Sequence, residues 1–563
     1  MVNNSKYSSD LLVDALKGMG IEYVSANIGS TFRALWESLV NYGDVELVPV
    51  PHEEIAVGIA HGYAKASGKP MVVLLHDVVG LLHGSMAIYN AFFDHVPILL
   101  IGAEGPMDYE RRRAWIDYLH TATIPNEVVR GYVKWDDFPA SLESALRSLI
   151  QGYRLSLTPP QGPVYVCLDA GYLERDATNV EMPKVKPPMN VGIDDDKLRE
   201  VRDELRRAER PVIVAGNTGR RQGGVADLVR LAERIGAGVI DAGEYFSFPN
   251  SHPLDATGVE QVLREADLVL ALDVSNLHNV LSRTDKLERK SQVLTKAKVV
   301  RIGVPSLSSW VNEESIALED VYIVGEGSAA VRRLLSLTED VRPKEEWAHR
   351  VAKLRDEERR RWREELERRF NDVPVSVPRL AQEAWEVLKN EDWVIANGDL
   401  GGWLRKTWVL ERERCYLGKV RAGGLGYGLP ISIGAALALR DKLVLDFQPD
   451  GDLLFTPSAL WTARNRSVKL LIIMMNNRAY FNDADHNYLI AKQRGRDPER
   501  AFRVGGSISD PVVDFSTMAK SMGVHGVGPV ESPGQLRSSI EEALEYVKKH
   551  NSPALVDVVT SYR

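Results

Sequence analysis

With 563 residues, 70 basic against 78 acidic side chains (net −8) and 44% hydrophobic residues, the chain has room for several domains of roughly 150 residues, each with its own core. A composition of 26% charged and 7% aromatic residues excludes a disordered chain, and the mild acidity argues against a nucleic-acid surface. Cys167 and Cys415 are too few for a disulfide framework or a CxxC zinc site, and MVNNSKYSSD is no secretory leader.

No run approaches the roughly 18 apolar residues that cross a bilayer, so a cytoplasmic location without membrane or nucleic-acid contact is expected. Short apolar runs alternate with polar-faced helical stretches, the rhythm of α/β folds with parallel sheets. In the first third, residues 71–75, 96–102 and 164–169 are predicted strands, and 81–93 and 141–153 are predicted helices. Pro183, Pro187 and Pro188 mark a linker over 180–194. The middle block offers strands at 211–216, 238–241, 266–273, 299–302 and 321–324, with a helix at 225–235. Residues 343–370 mix arginines and glutamates at helical spacing, which reads as a solvated linker helix rather than a basic arm. The last block has strands at 393–397, 443–448, 470–476 and 554–558. Three doubly wound parallel-sheet domains are expected, over 1–180, 195–340 and 376–563, with a charged linker helix at 341–375.

The chemistry concentrates in Asp450-Gly451-Asp452, which follows one apolar strand, and Asn476-Asn477, which ends the next; Asn477 lies 27 residues after Asp450. Adjacent parallel strands with a crossover helix over 456–466 bring these ends side by side, where open α/β sheets bind ligands. A carboxylate and an amide oxygen are hard ligands for magnesium or calcium, and Gly451 admits backbone N–H groups to a phosphate. A DG and an NN alone are ordinary turns; the strand context turns them into a metal clamping a diphosphate.

Two further segments stand apart from this one: His52-Glu53-Glu54 with Gly62-Tyr63-Ala64-Lys65 nine residues beyond Glu53, and the glycine-rich run from Ala422 to Pro430. Together the three segments resemble the GDG…NN, HE…GYARxxGKP and GGLGxMGxGLP signatures of thiamine diphosphate (ThDP) enzymes in the acetolactate synthase and pyruvate decarboxylase superfamily. The resemblance implies a pyrimidine-binding, a central Rossmann-like and a diphosphate-binding domain, in that order. It implies Mg2+ held by Asp450, Asn477 and the carbonyl of Ala479. Gly424, Leu425, Gly451, Asp452 and Tyr480 would join them around the cofactor, with Leu425 as an apolar wedge that bends it. Glu53, rather than Glu54, would hydrogen-bond the aminopyrimidine ring, a task that suits a carboxyl in an apolar pocket with a raised pKa.

Pro449 replaces the first glycine of GDG, and Leu75-His76-Asp77-Val78-Val79-Gly80 stands where acetolactate synthases carry a TSGPG-type loop. His76 and His120 are candidate proton-transfer groups, and Asn27, Ile28, Asp77, Thr121 and Phe481 are expected to line the substrate pocket. The central block lacks a flavin-contacting RFDDR-type run, and Gly216-Asn217-Thr218-Gly219 is no dinucleotide fingerprint. FAD is therefore not expected, a structural central domain is, and CoA or a nucleotide stays open. The implied activity is cleavage or formation of a carbon–carbon bond next to a carbonyl, by an acetolactate synthase-like decarboxylase or carboligase. The alternative is a 2-hydroxyacyl-CoA lyase or oxalyl-CoA decarboxylase-like enzyme. The substrate would be a 2-oxo acid, a 2-hydroxy ketone or a 2-hydroxyacyl thioester, and the enzyme a homodimer or homotetramer.

Overall fold

Apolar runs of strand length assemble into three parallel sheets in a computed structural model that describes residues 6–176, 185–188, 192–305 and 318–561. Of the linker expected at 180–194, residues 180–184 and 189–191 lie outside the described residues. The first sheet has the order Glu46–Pro49, Tyr23–Ala26, Met71–His76, Ile98–Glu104, Pro163–Asp169, Asp136–Asp137. Its chain order reverses direction between Tyr23–Ala26 and Met71–His76, which opens a crevice at their carboxyl ends. The middle sheet runs Val321–Val324, Lys298–Gly303, Leu268–Leu272, Pro211–Ala215, Gly238–Asp241, and the third Trp393–Asn397, Leu443–Pro449, Leu470–Asn476, Ala554–Val559, His525–Val530.

The first and third sheets meet through two helices whose sequences lack a polar face. Glu53–Ser67 is buried along almost its whole length and packs on Gly428–Ala438, which is equally apolar. The contact is close enough to require glycine: a Cβ on Gly62 would lie 1.9 Å from the Ile431 carbonyl oxygen, and one on Gly434 1.9 Å from that of Ile59. One hydrophobic core therefore runs from Val73 and Ile98 through Ile59 and Ile433 to Val444 and Ile472. The charged stretch forms the helix Glu345–Arg369, of which Trp347, Val351 and Leu354 are buried; the Trp347 indole N–H donates to the Pro211 carbonyl at 2.9 Å.

Several predicted elements differ in extent, and two of these border the strand exits that carry the candidate chemistry. The helix expected at 81–93 starts at Asp77, directly after the strand, so the loop expected at its front is already helical. The crossover expected at 456–466 divides into a single turn, Asp450–Leu453, and the helix Ala459–Asn465. Pro449 ends its strand at φ −69° and ψ 143°, angles its ring permits, and the helical turn starts at the next residue. Among the described residues no helix is long and apolar enough to cross a membrane.

Candidate active site

The crevice of the first sheet collects side chains from several strand exits. Glu53, 4% exposed, is the first residue of its helix, whose N-cap His52 accepts the Glu54 N–H through its ring Nδ1 at 3.2 Å. Asn27 Nδ2 donates to Glu53 Oε1 at 3.1 Å, and His83 Nδ1 lies 3.2 Å from Oε2. Gly80 leaves room for this carboxylate, since a Cβ there would come within 3.2 Å of Oε1. Glu54 instead lies against the glycine loop, its Oε1 2.9 Å from where a Gly426 Cβ would stand. Burial, reinforced by Asp452, pushes Glu54 up to about 7. The helix start thus sends its two carboxylates to different neighbours, and Glu53 is the one in the crevice.

Beside it, His76 ends the strand Met71–His76 and its Nδ1 lies 2.7 Å from Thr31 Oγ1. Burial lowers the His76 pKa, which favours the neutral imidazole. Asp77, 2% exposed and at φ 48°, is pushed by burial to about 7, against a hydrogen bond from Thr31. Its Oδ2 lies 3.3 Å from His76 Nε2 and 3.7 Å from His120 Nδ1. Glu104, at the next strand exit, accepts the Ala122 N–H at 2.8 Å and is driven by burial to about 8. Thr121 is half-buried with its hydroxyl unpartnered, and Ile28 packs against the core beneath.

The third sheet builds the second half. The pairing of Pro449 with Met475 aligns the two strand exits. Asp450 is 1% exposed; its Oδ1 accepts the Gly451 N–H at 2.8 Å and its Oδ2 the Arg478 N–H at 2.6 Å. Asn477 Oδ1 accepts the Ala479 N–H at 2.9 Å, and Arg478 between them takes φ 57°. Burial holds Asp450 up at about 6, against those backbone donors. The carboxylate and the amide oxygen accept the successive N–H groups of Arg478 and Ala479, and as hard oxygens they are a donor type that fits Mg2+ and a diphosphate. Tyr480 closes over Gly451, where a Cβ would lie 2.6 Å from its ring, so the glycine is required by the tyrosine as well. Phe481 opens the next helix and faces Phe502 with ring centroids 6.3 Å apart.

Asp452 is turned to the glycine loop: its oxygens accept the N–H groups of Gly426 (2.8 Å) and Gly428 (3.0 Å) and the Gln448 amide (2.7 Å). Thr456 Oγ1 donates to the Gly426 carbonyl at 2.7 Å. On the other flank, Gly424 is held by Asn90, so half-buried Leu425 stands between two anchored glycines. In the middle domain Asp273 accepts the N–H of Gly327 at 2.8 Å and so occupies a helix N-terminus with a protein carboxyl.

His83, Thr31, Glu104 and Asn90 are site neighbours that the sequence reading did not single out. A helix begun at Asp77 would have found His83, which stands one turn beyond Gly80 on the face that meets Glu53. Nothing local marks the other three.

Comparison with known proteins agrees with this layout. Three family models match: thiamine pyrophosphate enzyme, N-terminal TPP binding domain, over 8–124; central domain, over 198–306; and C-terminal TPP binding domain, over 396–558. The acetolactate synthase large subunit of Lactococcus lactis is 23% identical, covering 98% of this chain and 92% of its own length. The benzoylformate decarboxylase of Pseudomonas aeruginosa is 25% identical, covering 90% of each chain. The crystal structure of benzoylformate decarboxylase from Polynucleobacter necessarius superposes with a TM-score of 0.79 at 18% identity, over 99% of both chains. The chain belongs to the thiamine-diphosphate-dependent enzymes of the acetolactate synthase and pyruvate decarboxylase superfamily.

Proposed function

We propose that this enzyme uses ThDP and Mg2+ to break or form the carbon–carbon bond next to the carbonyl of a 2-oxo acid. The observation that carries the reading is the turn in which Asp450 accepts the Arg478 N–H at 2.6 Å, beside Asn477, at the ends of adjacent parallel strands. Asp450, Asn477 and the Ala479 carbonyl would hold the magnesium, and the bound cofactor supplies a carbanion that attacks carbonyl carbon. Glu53, buried and aimed by Asn27 and His83, would supply the carboxyl that hydrogen-bonds an aminopyrimidine ring. Asp452 and Asn90 fix the loop that carries Leu425, so that an apolar side chain is presented in one place. His76 and His120, with Asp77 between them, hold or deliver protons at the substrate side.

A second copy of the chain would complete the site by setting one copy's Glu53 domain against the other's Asp450 domain. In support, large apolar side chains stand exposed around these parts: Leu82 (57%), Leu119 (77%), Phe455 (54%) and Trp461 (42%). Mass spectrometry of the reaction with a panel of 2-oxo acids, with and without an aldehyde acceptor, tests the activity. Carbon dioxide release with an aldehyde or ketol product is expected; turnover of 2-hydroxyacyl thioesters alone would overturn the 2-oxo acid assignment.

A further inference from the structure

The cluster at Asp77 has more structure than proton transfer requires. His76, Asp77 and His120 each bring one ligand atom within 4.8 Å of the other two, and Asp77 Oδ2 lies 3.3 Å from His76 Nε2 and 3.7 Å from His120 Nδ1. A four-coordinate zinc-class ion about 2.0–2.2 Å from each ligand holds its ligands about 3.3–3.5 Å apart. The two separations from the Asp77 carboxylate oxygen therefore already stand near those that such an ion imposes.

Four features prepare the set. His120 Nδ1 is buried and has no hydrogen-bond partner, an arrangement that costs stability unless something fills it, and Asp77 Oδ1, the other oxygen of the same carboxylate, is likewise unpartnered. His76 is oriented from behind: Thr31 Oγ1 lies 2.7 Å from its Nδ1, which leaves Nε2 as the free ligand atom. Gly29 makes this orientation possible, because a Cβ there would fall 2.0 Å from the imidazole Cγ. The turn that carries His120 is clamped as well, by the Arg113 N–H on Asp117 Oδ2 (2.8 Å) and the Arg113 guanidinium on Oδ1 (2.6 Å). Finally, Asp77 sits at φ 48°, a left-handed conformation that a non-glycine residue adopts at a cost and that fixes where its carboxylate points.

We propose that His76, Asp77 and His120 form a second divalent-metal site, a two-histidine, one-carboxylate set for zinc, cobalt or ferrous iron that is separate from the Asp450–Asn477 site. Two imidazoles select against magnesium, which prefers oxygen ligands. Among the described residues, the other cluster with suitable ligand types, His52, Glu53 and His83, is less suited: the His52 Nδ1 already accepts the Glu54 N–H, and the His83 side chain is 60% exposed. An ion at the Asp77 site engages the lone pairs of both imidazoles, so occupancy and proton delivery by His76 and His120 exclude each other. That consequence rests on the function proposed above; the metal site itself does not.

Cobalt titration of the chelator-treated full-length protein, in excess Mg2+, reads the site directly. One equivalent of Co2+ per chain is expected, with visible absorption of a low-coordinate ion and two imidazoles in its X-ray absorption spectrum. Thr31→Val should weaken cobalt binding about 10-fold through the lost orienting contact, and His120→Ala should abolish the visible band. His83→Ala and Asp450→Ala should keep the band, the latter even though its diphosphate site is disabled. No cobalt bound by the wild-type protein, a spectrum without imidazole, or a band that survives His120→Ala would each overturn the proposal. The X-ray absorption measurement needs no variant, so the test stands even where His120→Ala fails to fold, and ThDP binding measured alongside shows separately whether the cofactor reading holds.

Discussion

Asn90 and Gly424 exchange two hydrogen bonds: the asparagine Nδ2 donates to the glycine carbonyl at 3.0 Å, and the glycine N–H returns to Oδ1 at 3.2 Å. This pair ties a helix of the first domain to the glycine loop of the third within one chain. Asn90 is 1% exposed, so its replacement leaves the backbone of Gly424 unpaired at the junction. Asn90→Ala should cost about 2 kcal/mol in denaturant unfolding and weaken ThDP binding with it. A variant as stable as the parent, with unchanged affinity, would show that the junction does not set the loop.

Glu53→Gln preserves size and the contact with Asn27 but removes the titratable proton. Cofactor affinity should stay close to that of the parent while kcat falls about 100-fold or more. Steady-state kinetics beside calorimetric titration separates the two; near-parental kcat would remove Glu53 from its role.

Leu425 stands between glycines that Asn90 and Asp452 hold in place. Leu425→Ala removes the apolar bulk without touching those bonds, so kcat should drop about 10-fold at little change in ThDP affinity. An equal loss in affinity and no loss in kcat would mean that the side chain merely packs against the cofactor.

Asp446 lies fully buried under the site, accepts the Asn397 amide at 2.8 Å, and is pushed by burial to about 8. Its folded pKa thus exceeds its unfolded value of 3.8, so its contribution is complete below that value. As the pH rises, the unfolded chain ionises first and stability falls until the folded carboxyl ionises near 8. Asp446→Asn should flatten the decline of the denaturation midpoint between these limits relative to the parent. Parallel profiles for the two proteins would place the shift elsewhere.

Strands such as Leu470–Asn476 were legible because buried parallel strands are continuous apolar runs, and the spacing of Asp450 and Asn477 followed from the strand ends. The helices Glu53–Ser67 and Gly428–Ala438 left no such trace. Each is buried on nearly all sides by the other and by the sheets, so neither carries the amphipathic period that marks a surface helix. Contacts such as Asn90 with Gly424 join residues hundreds of positions apart, and a single asparagine in an apolar helix says nothing of its partner. Asp452 illustrates the limit of a motif: the resemblance marks the residue, but only the fold turns its carboxylate to the N–H groups of Gly426 and Gly428.

In the proposed site, Asp450 and Asn477 would grip a divalent ion that anchors the diphosphate of ThDP. Calorimetric titration of ThDP into the full-length protein, with and without Mg2+, tests it most directly when the parent is compared with Asp450→Ala and Asn477→Ala. One ThDP per chain, bound only with Mg2+ and lost in both variants, is the expected result. Unchanged, magnesium-independent affinity in Asp450→Ala would contradict the account.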